Sequence, residues 1–336
     1  MTRSRAILTA GAILSVLSLC ALVDIARAEP SADEVLTSAG LSAGDKANVT
    51  SGQFVNVDLK GVSERDLAFA MAFLVKTPPD ALAKQIVAGE LITADSQVKT
   101  FGELSGAGSL ADFAKLTLTA DEAKALAKAK AGDALNLSAS EIAAFKALAG
   151  SPPAAVQEQL RRMLLARYQA YRASGLAGIA PYDRGSGRTS DPAADLRKAT
   201  QATQGLQKYL PAFQKVLLDY PKATLPGMEE KFFWVKSLIH DEMTYILAHV
   251  MVAADGGARV VARREYYVST GYNAEQTVAG FLPVQGGTVA VTTIHAFTDQ
   301  VTGMGGAMKR GIGSKVMASK MKEIYDAGRQ KSQQQR

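Results

Sequence analysis

Between Phe232 and Phe297 five apolar-rich runs follow one another: FFWVKSLI, MTYILAHVMVAA, ARVVARREYYVS, EQTVAGFLPV and TVAVTTIHAF. Asp255-Gly256-Gly257, Gly271-Tyr272-Asn273 and Gly286-Gly287 stand between them. Glycine next to Asp or Asn supplies the positive-φ conformations of tight hairpin turns, so the series reads as successive antiparallel strands. The runs are rich in Val, Thr, Tyr and Phe, which pack better on a pleated surface than in a helix. A chain with such a meander must bury at least one face of a sheet, and the rest of the sequence is read for what covers it.

The chain opens with Arg3 and Arg5, an apolar stretch from Ala6 to Val23, and Ala26-Arg27-Ala28, an A-x-A cleavage pattern. That is the layout of a secretory signal, with residues 1–28 removed on export. The mature protein is expected to be periplasmic or secreted, soluble and without a membrane span. The single cysteine, Cys20, lies in the signal, so disulfide and thiol chemistry are excluded from the mature chain. The formal charge of +6 is mild and dispersed, and gives no reason to expect a nucleic-acid partner.

Residues 29–50 read as an irregular lead-in. Gln53–Leu59 and Leu67–Val75 alternate as strands, the second with large and small residues suited to burial on both faces. Thr77-Pro78-Pro79-Asp80 opens a helix through Ile86, with Thr77 as its cap. Strands are expected at 97–104 and 113–118. LTLTADEAKAL (116–126) and LNLSASEIAAF (135–145) then repeat one pattern: Thr119 with Glu122, and Ser138 with Glu141. Each is a capping box, in which hydroxyl and carboxylate satisfy opposite backbone donors at a helix start. A longer helix covers 153–173 through Val156, Leu160, Met163, Leu164 and Tyr168, and two more cover 195–209 and 211–220. In the loop 174–192, Arg184 and Arg188, with Arg172 before it, offer an anion site; the alternative is a solvated surface.

The expected fold class is α+β: a curved antiparallel sheet around a long C-terminal helix, with an all-helical insert. The divisions are 1–28 signal, 29–118 first strands and helix, 119–225 helical insert, and 226–336 meander with the closing helix. This order resembles the START-like helix-grip superfamily over about half the chain. VKTPPDALAKQI (75–86) looks like that family's first strand passing into its first helix, and 300–329 like its gripping helix. The resemblance implies an enclosed apolar cavity for a lipid or other hydrophobic ligand.

The chemistry-bearing residues are few. The three histidines, His240, His249 and His295, all fall in the meander. His240 sits at a turn, whereas His249 and His295 share strand faces with apolar residues, which favours interior hydrogen bonding over zinc ligation. No G-x-S-x-G elbow exists, and GMGGAMKRGIGSK (303–315) lacks phosphate-loop spacing. Arg263 shares a face with Glu265, so Arg264 is the arginine left to point inward. Six of the ten methionines lie between 243 and 321, with stripes at Val301, Met304, Met308, Ile312 and at Met317, Met321, Ile324.

The leading expectation is therefore noncatalytic binding of a hydrophobic or lipid-like molecule, with no cofactor and no metal. Its expected lining is Trp234, Tyr245, His249, Arg264, Tyr267, Met304, Met308, Met317 and Met321. Two alternatives stand beside it. One is an enzyme using His249 or His295 as acid/base with Arg264 holding an acidic substrate; the other is an envelope protein that docks a protein partner.

Overall fold

The computed structural model describes residues 29–132, 134–239 and 241–302, together with Ser319, Lys322 and Glu323. In chain order it contains α1 (Ala32–Ser38), α2 (Ala43–Thr50), β1 (Val55–Asp58), β2 (Asp66–Val75), α3 (Pro79–Val87), α4 (Glu90–Ala94) and β3 (Val98–Leu104). Then come α5 (Ala120–Ala127), α6 (Ala139–Lys146), α7 (Pro153–Ser174), the short hairpin β4 (Tyr182–Gly185) and β5 (Arg188–Ser190), α8 (Pro192–Ala202), α9 (Gln204–Tyr209) and α10 (Pro211–Asp219). The meander closes the series as β6 (Glu229–Ile239), β7 (Glu242–Asp255), β8 (Ala258–Val268), β9 (Ala274–Val284) and β10 (Gly287–Phe297).

Among the described residues, eight strands form one curved antiparallel sheet in the order β1-β2-β10-β9-β8-β7-β6-β3. The early and late strands therefore belong together. β2 pairs with β10 from Asp66 opposite Phe297 to Val75 opposite Thr288, and β3 pairs with β6 at the far edge. The glycines between the late strands do what the turn chemistry asks: Gly256, Gly271 and Gly286 all have φ between +56° and +92°.

One face of the sheet carries most of the helices. α7, 22 residues and about 33 Å long, lies over β6, β7 and β8. Its Leu160, Leu164, Tyr168 and Tyr171 share a single core with Phe232, Trp234, Leu247 and Tyr267, joined by Leu126 of α5 and Phe145 of α6. Phe213, Val216 and Leu217 of α10 continue the layer over Met251, Val260 and Val278. α1 and α2 complete it over β9, β10 and β2. The opposite face meets α3 and α4 through Ala83 and Ile92. The section 119–225 is thus no detached body, since its helices and the sheet bury each other's apolar faces.

A β-bulge shapes the centre. Leu247 pairs with Tyr267 but Ala248 with Glu265, which leaves Tyr266 as the extra residue. A bulge breaks strict alternation, and both tyrosines consequently enter the α7 core: Tyr266 stacks on Tyr171 at 4.0 Å, and Arg167 lies over Tyr267 at 4.2 Å.

Several local expectations are corrected. Residues 29–50 are two short helices, each with its own capping box, Ser31 with Glu34 and Ser42 with Asp45. The expected strand at 113–118 is a 3-10 turn over Leu110–Phe113 followed by an extended loop. There the carbonyls of Ala114 and Leu116 are taken by Arg161 and that of Asp112 by the Trp234 indole, so no ladder forms. Pro78, not Thr77, precedes the first turn of α3, and no side chain caps it. The capping boxes at Thr119 and Ser138 are present as expected. The middle section holds one hairpin besides its helices, and the long helix described against the sheet is α7. The segment 300–329, expected as the gripping helix, lies beyond Thr302 outside the described residues apart from Ser319, Lys322 and Glu323, as do the signal, Met304, Met308, Met317, Met321 and His240.

Candidate functional site

Two arrangements invite a functional reading: a buried polar array under α7, and an apolar groove at the other end of the same sheet face.

The array begins at Glu230 on β6. Its carboxylate lies 3.0 Å from His249 Nε2, and His249 Nδ1 lies 3.2 Å from the Tyr171 hydroxyl. A carboxylate only accepts, so Nε2 carries the proton and Nδ1 accepts from Tyr171. Tyr171 in turn accepts from Arg264 Nη1 at 3.3 Å. The other donors of Arg264 go to Gln276 Oε1, the Leu217 carbonyl and Thr200 Oγ1. Arg264 is fully buried, and no carboxylate among the described residues reaches it. Its neutral acceptors tie together β8, β9, α8, α10 and α7. Burial pulls the His249 pKa down to about 4, against the opposing pull of Glu230. The hydrogen bond from His249 holds Glu230 below the usual carboxylate range.

This array has no open position. His249 has 0 % exposure, stacks on Phe232 at 4.0 Å, and uses both ring nitrogens. A general base must present a lone pair to a substrate and titrate near the working pH; His249 does neither. His295 is likewise engaged, with Nδ1 2.9 Å from Asp66. The remaining residues chosen from the sequence pack in the same core. Trp234 donates to the Asp112 carbonyl at 2.8 Å and stacks on Phe113. Tyr267 lies beneath Arg167, and the ring of Tyr245 is buried near Lys236. Thus Trp234, Tyr245, His249, Arg264 and Tyr267 do share one face, but as packed interior, and none of the five lines the groove described next.

The arginines of the 174–192 region do not converge either. Arg184 is buried and held by Asp299, Ser190, Asn136 and Asn273, which pins the hairpin to the end of β10. Arg172 lies over Phe232, 4.0 Å from Glu230. Arg263 pairs with Glu265 on the opposite sheet face, as the alternation requires. Among the described residues no cluster of His, Cys, Asp or Glu could hold a metal ion.

The groove lies where α1 and α9 lean against β8, β9 and β10, and it encloses about 160 Å³. Val260, Val278, Gly280, Leu282 and Val291 make the floor; Val35, Ala39, Leu206 and Leu210 make the walls. Its polar side chains are already occupied. Ser38 donates to the Val35 carbonyl, Thr203 to Ala199 and Tyr209 to Glu34. Arg259 sends its guanidinium to Asp80 of α3 on the opposite sheet face, at 2.5 Å, and at the mouth the Glu29 carboxylate accepts from Gly257 N–H at 3.4 Å. The interior therefore offers apolar surface with its polar groups turned to the protein itself, a space for a ligand that brings little polarity of its own.

Nothing in the sequence pattern joined these walls, because α1, α9 and the meander are remote in the chain. The one available signal was Gly280 in the middle of a strand-like run. No family model, no curated protein and no solved structure matches this chain.

Proposed function

We propose that this is an exported protein, periplasmic or secreted, that binds a small hydrophobic molecule or the apolar end of a lipid-like one, without catalysis. The groove between α1, α9 and the sheet carries the reading: an apolar floor, satisfied polar groups and a mouth at the surface. An apolar cavity of about 150 Å³ stays dry and admits benzene, so 160 Å³ suits a single ring or a short alkyl chain. A long acyl chain would leave most of its length outside. Among the described residues no helix is long and apolar enough to cross a membrane.

Export rests on the Arg3/Arg5, Ala6–Val23 and Ala26-Arg27-Ala28 pattern, and N-terminal sequencing of fractionated cells tests it. Glu29 as the first residue of periplasmic protein is the expected result, and an intact N-terminus in the membrane fraction would overturn it. Binding is tested by saturation-transfer NMR with toluene, butylbenzene and hexanol. Saturable transfer from at least one of them supports the reading. Absence of transfer from all three would refute it.

A further inference from the structure

We infer that Gly280 and Gly205 are the specificity-determining positions of the groove, setting the bulk of the molecule it admits. The inference rests on the groove being the ligand site and adds which residues decide the ligand's size.

Gly280 sits in the middle of β9, opposite Val260 on one neighbour and Val291 on the other, in unbroken register with both. Glycine inside a strand weakens it, and where no bulge explains it, it often marks a close approach by another group. Neither Gly280 nor Gly205 has a positive φ, so neither backbone needs glycine. A Cβ at Gly280 would meet Val291 Cγ1 at 3.4 Å and Leu282 Cδ1 at 3.5 Å, an ordinary contact with two residues of the groove floor. A Cβ at Gly205, in the first turn of α9, would lie 3.3 Å from the Ser38 hydroxyl, tighter than an ordinary contact, so Ser38, which is bonded to the Val35 carbonyl, must give by a few tenths of an ångström. Gly178 and Gly287 differ: there the added carbon would lie 2.0 Å from a backbone oxygen, so packing alone demands glycine.

The backbone thus leaves both residues free to carry a side chain; packing admits a Cβ at 280 as it stands and at 205 with a small shift of Ser38. What a side chain at either place would occupy is the groove, from the floor at Gly280 and from the wall at Gly205. The ligand class that follows is a slim apolar group, a single ring or unbranched chain, lying flat across Gly280. Branched or fused-ring molecules need space that Val260, Val278 and Val291 already fill.

The test is a size ladder, benzene through butylbenzene, titrated against wild type, Gly280→Ala, Gly280→Val and Gly205→Ala. Gly44→Ala, a glycine-to-alanine change in α2 away from the groove, is the control. Discrimination per methylene in an apolar pocket runs from about tenfold upward. Gly280→Ala should therefore weaken the largest member by about tenfold while leaving benzene little changed. Gly280→Val should move the cut-off lower still, and Gly44→Ala should not move it. Gly280→Ala and Gly44→Ala should melt at or above the wild-type temperature, because each removes backbone freedom from the unfolded chain without a close contact in the folded one. An unchanged cut-off in the folded groove variants overturns the inference while leaving the groove as a binding site. Uniform weakening across the ladder overturns it too, because that reports a structural defect. Should wild type bind no member, the groove reading fails and the size assignment fails with it.

Discussion

His249 distinguishes an interior brace from a catalytic base, and acid is the perturbation that reads it. Its ordinary pKa is about 6.5, and burial holds it near 4 in the folded protein. Between those values the unfolded chain takes up a proton at this histidine that the folded chain refuses. Stability therefore falls as pH falls from about 6.5, by about 2 kcal/mol at pH 5 and roughly 3 kcal/mol once pH reaches 4. Asp195 opposes this. Burial raises its carboxyl to about 6, so between pH 6 and its ordinary value near 3.8 the folded chain gains protons and stability on acidification. The wild-type profile is the sum of the two, and a variant isolates the histidine. His249→Gln can still bond Glu230 and Tyr171 but loses the ring stacked on Phe232, so at pH 7 it should be less stable by about 1–3 kcal/mol. Urea denaturation at pH 7, 6 and 5 should show that deficit shrinking by about 2 kcal/mol. A deficit that stays constant across this range would refute the assignment of a buried neutral histidine.

Arg167 is buried and bound by both Glu141 oxygens at 2.6–2.7 Å, so Glu141→Ala should cost roughly 3–5 kcal/mol in denaturant titrations by stranding the guanidinium; a cost under 1 kcal/mol would mean the arginine reaches water. A Cβ at Gly102 would lie 2.5 Å from the Trp234 indole nitrogen, backed by a fully packed core. Gly102→Ala should therefore shift the emission of Trp234, the only tryptophan, to the red and cost roughly 1–3 kcal/mol; unchanged emission would contradict that packing.

What was legible in the sequence follows from where the physics is local. The five strands of the meander are written in alternating Val, Thr and Tyr and in glycines that adopt positive φ. The caps at Thr119 and Ser138 need only a hydroxyl and a carboxylate three residues apart. The same signature stands at Ser31 and Ser42, yet α1 and α2 escaped notice because few apolar residues follow it; Leu36 and Val49 are the buried residues of these helices. Arg264 could be aimed inward because Arg263 and Glu265 claim the other face, and the structure places it so. The bulge at Tyr266 defeats alternation and left no local mark.

The lining of the groove was the harder problem. Trp234, Tyr245 and Tyr267 were chosen for bulk, and bulk fills space rather than leaving it, so they mark the solid core under α7. An open space is marked by what is missing, here the side chains of Gly280 and Gly205. Its walls come from α1, α9 and β8 to β10, which only the folded chain brings together.

The central claim is that the groove takes an apolar ligand, and methyl-resolved NMR during a toluene titration tests it most directly. The account predicts saturable shifts at Val35, Leu206, Leu210, Val260, Val278, Leu282 and Val291, the valines and leucines that line the groove, with Leu160 and Leu164 under α7 unmoved. Shifts that fail to saturate, or that appear under α7 and not in the groove, would contradict it.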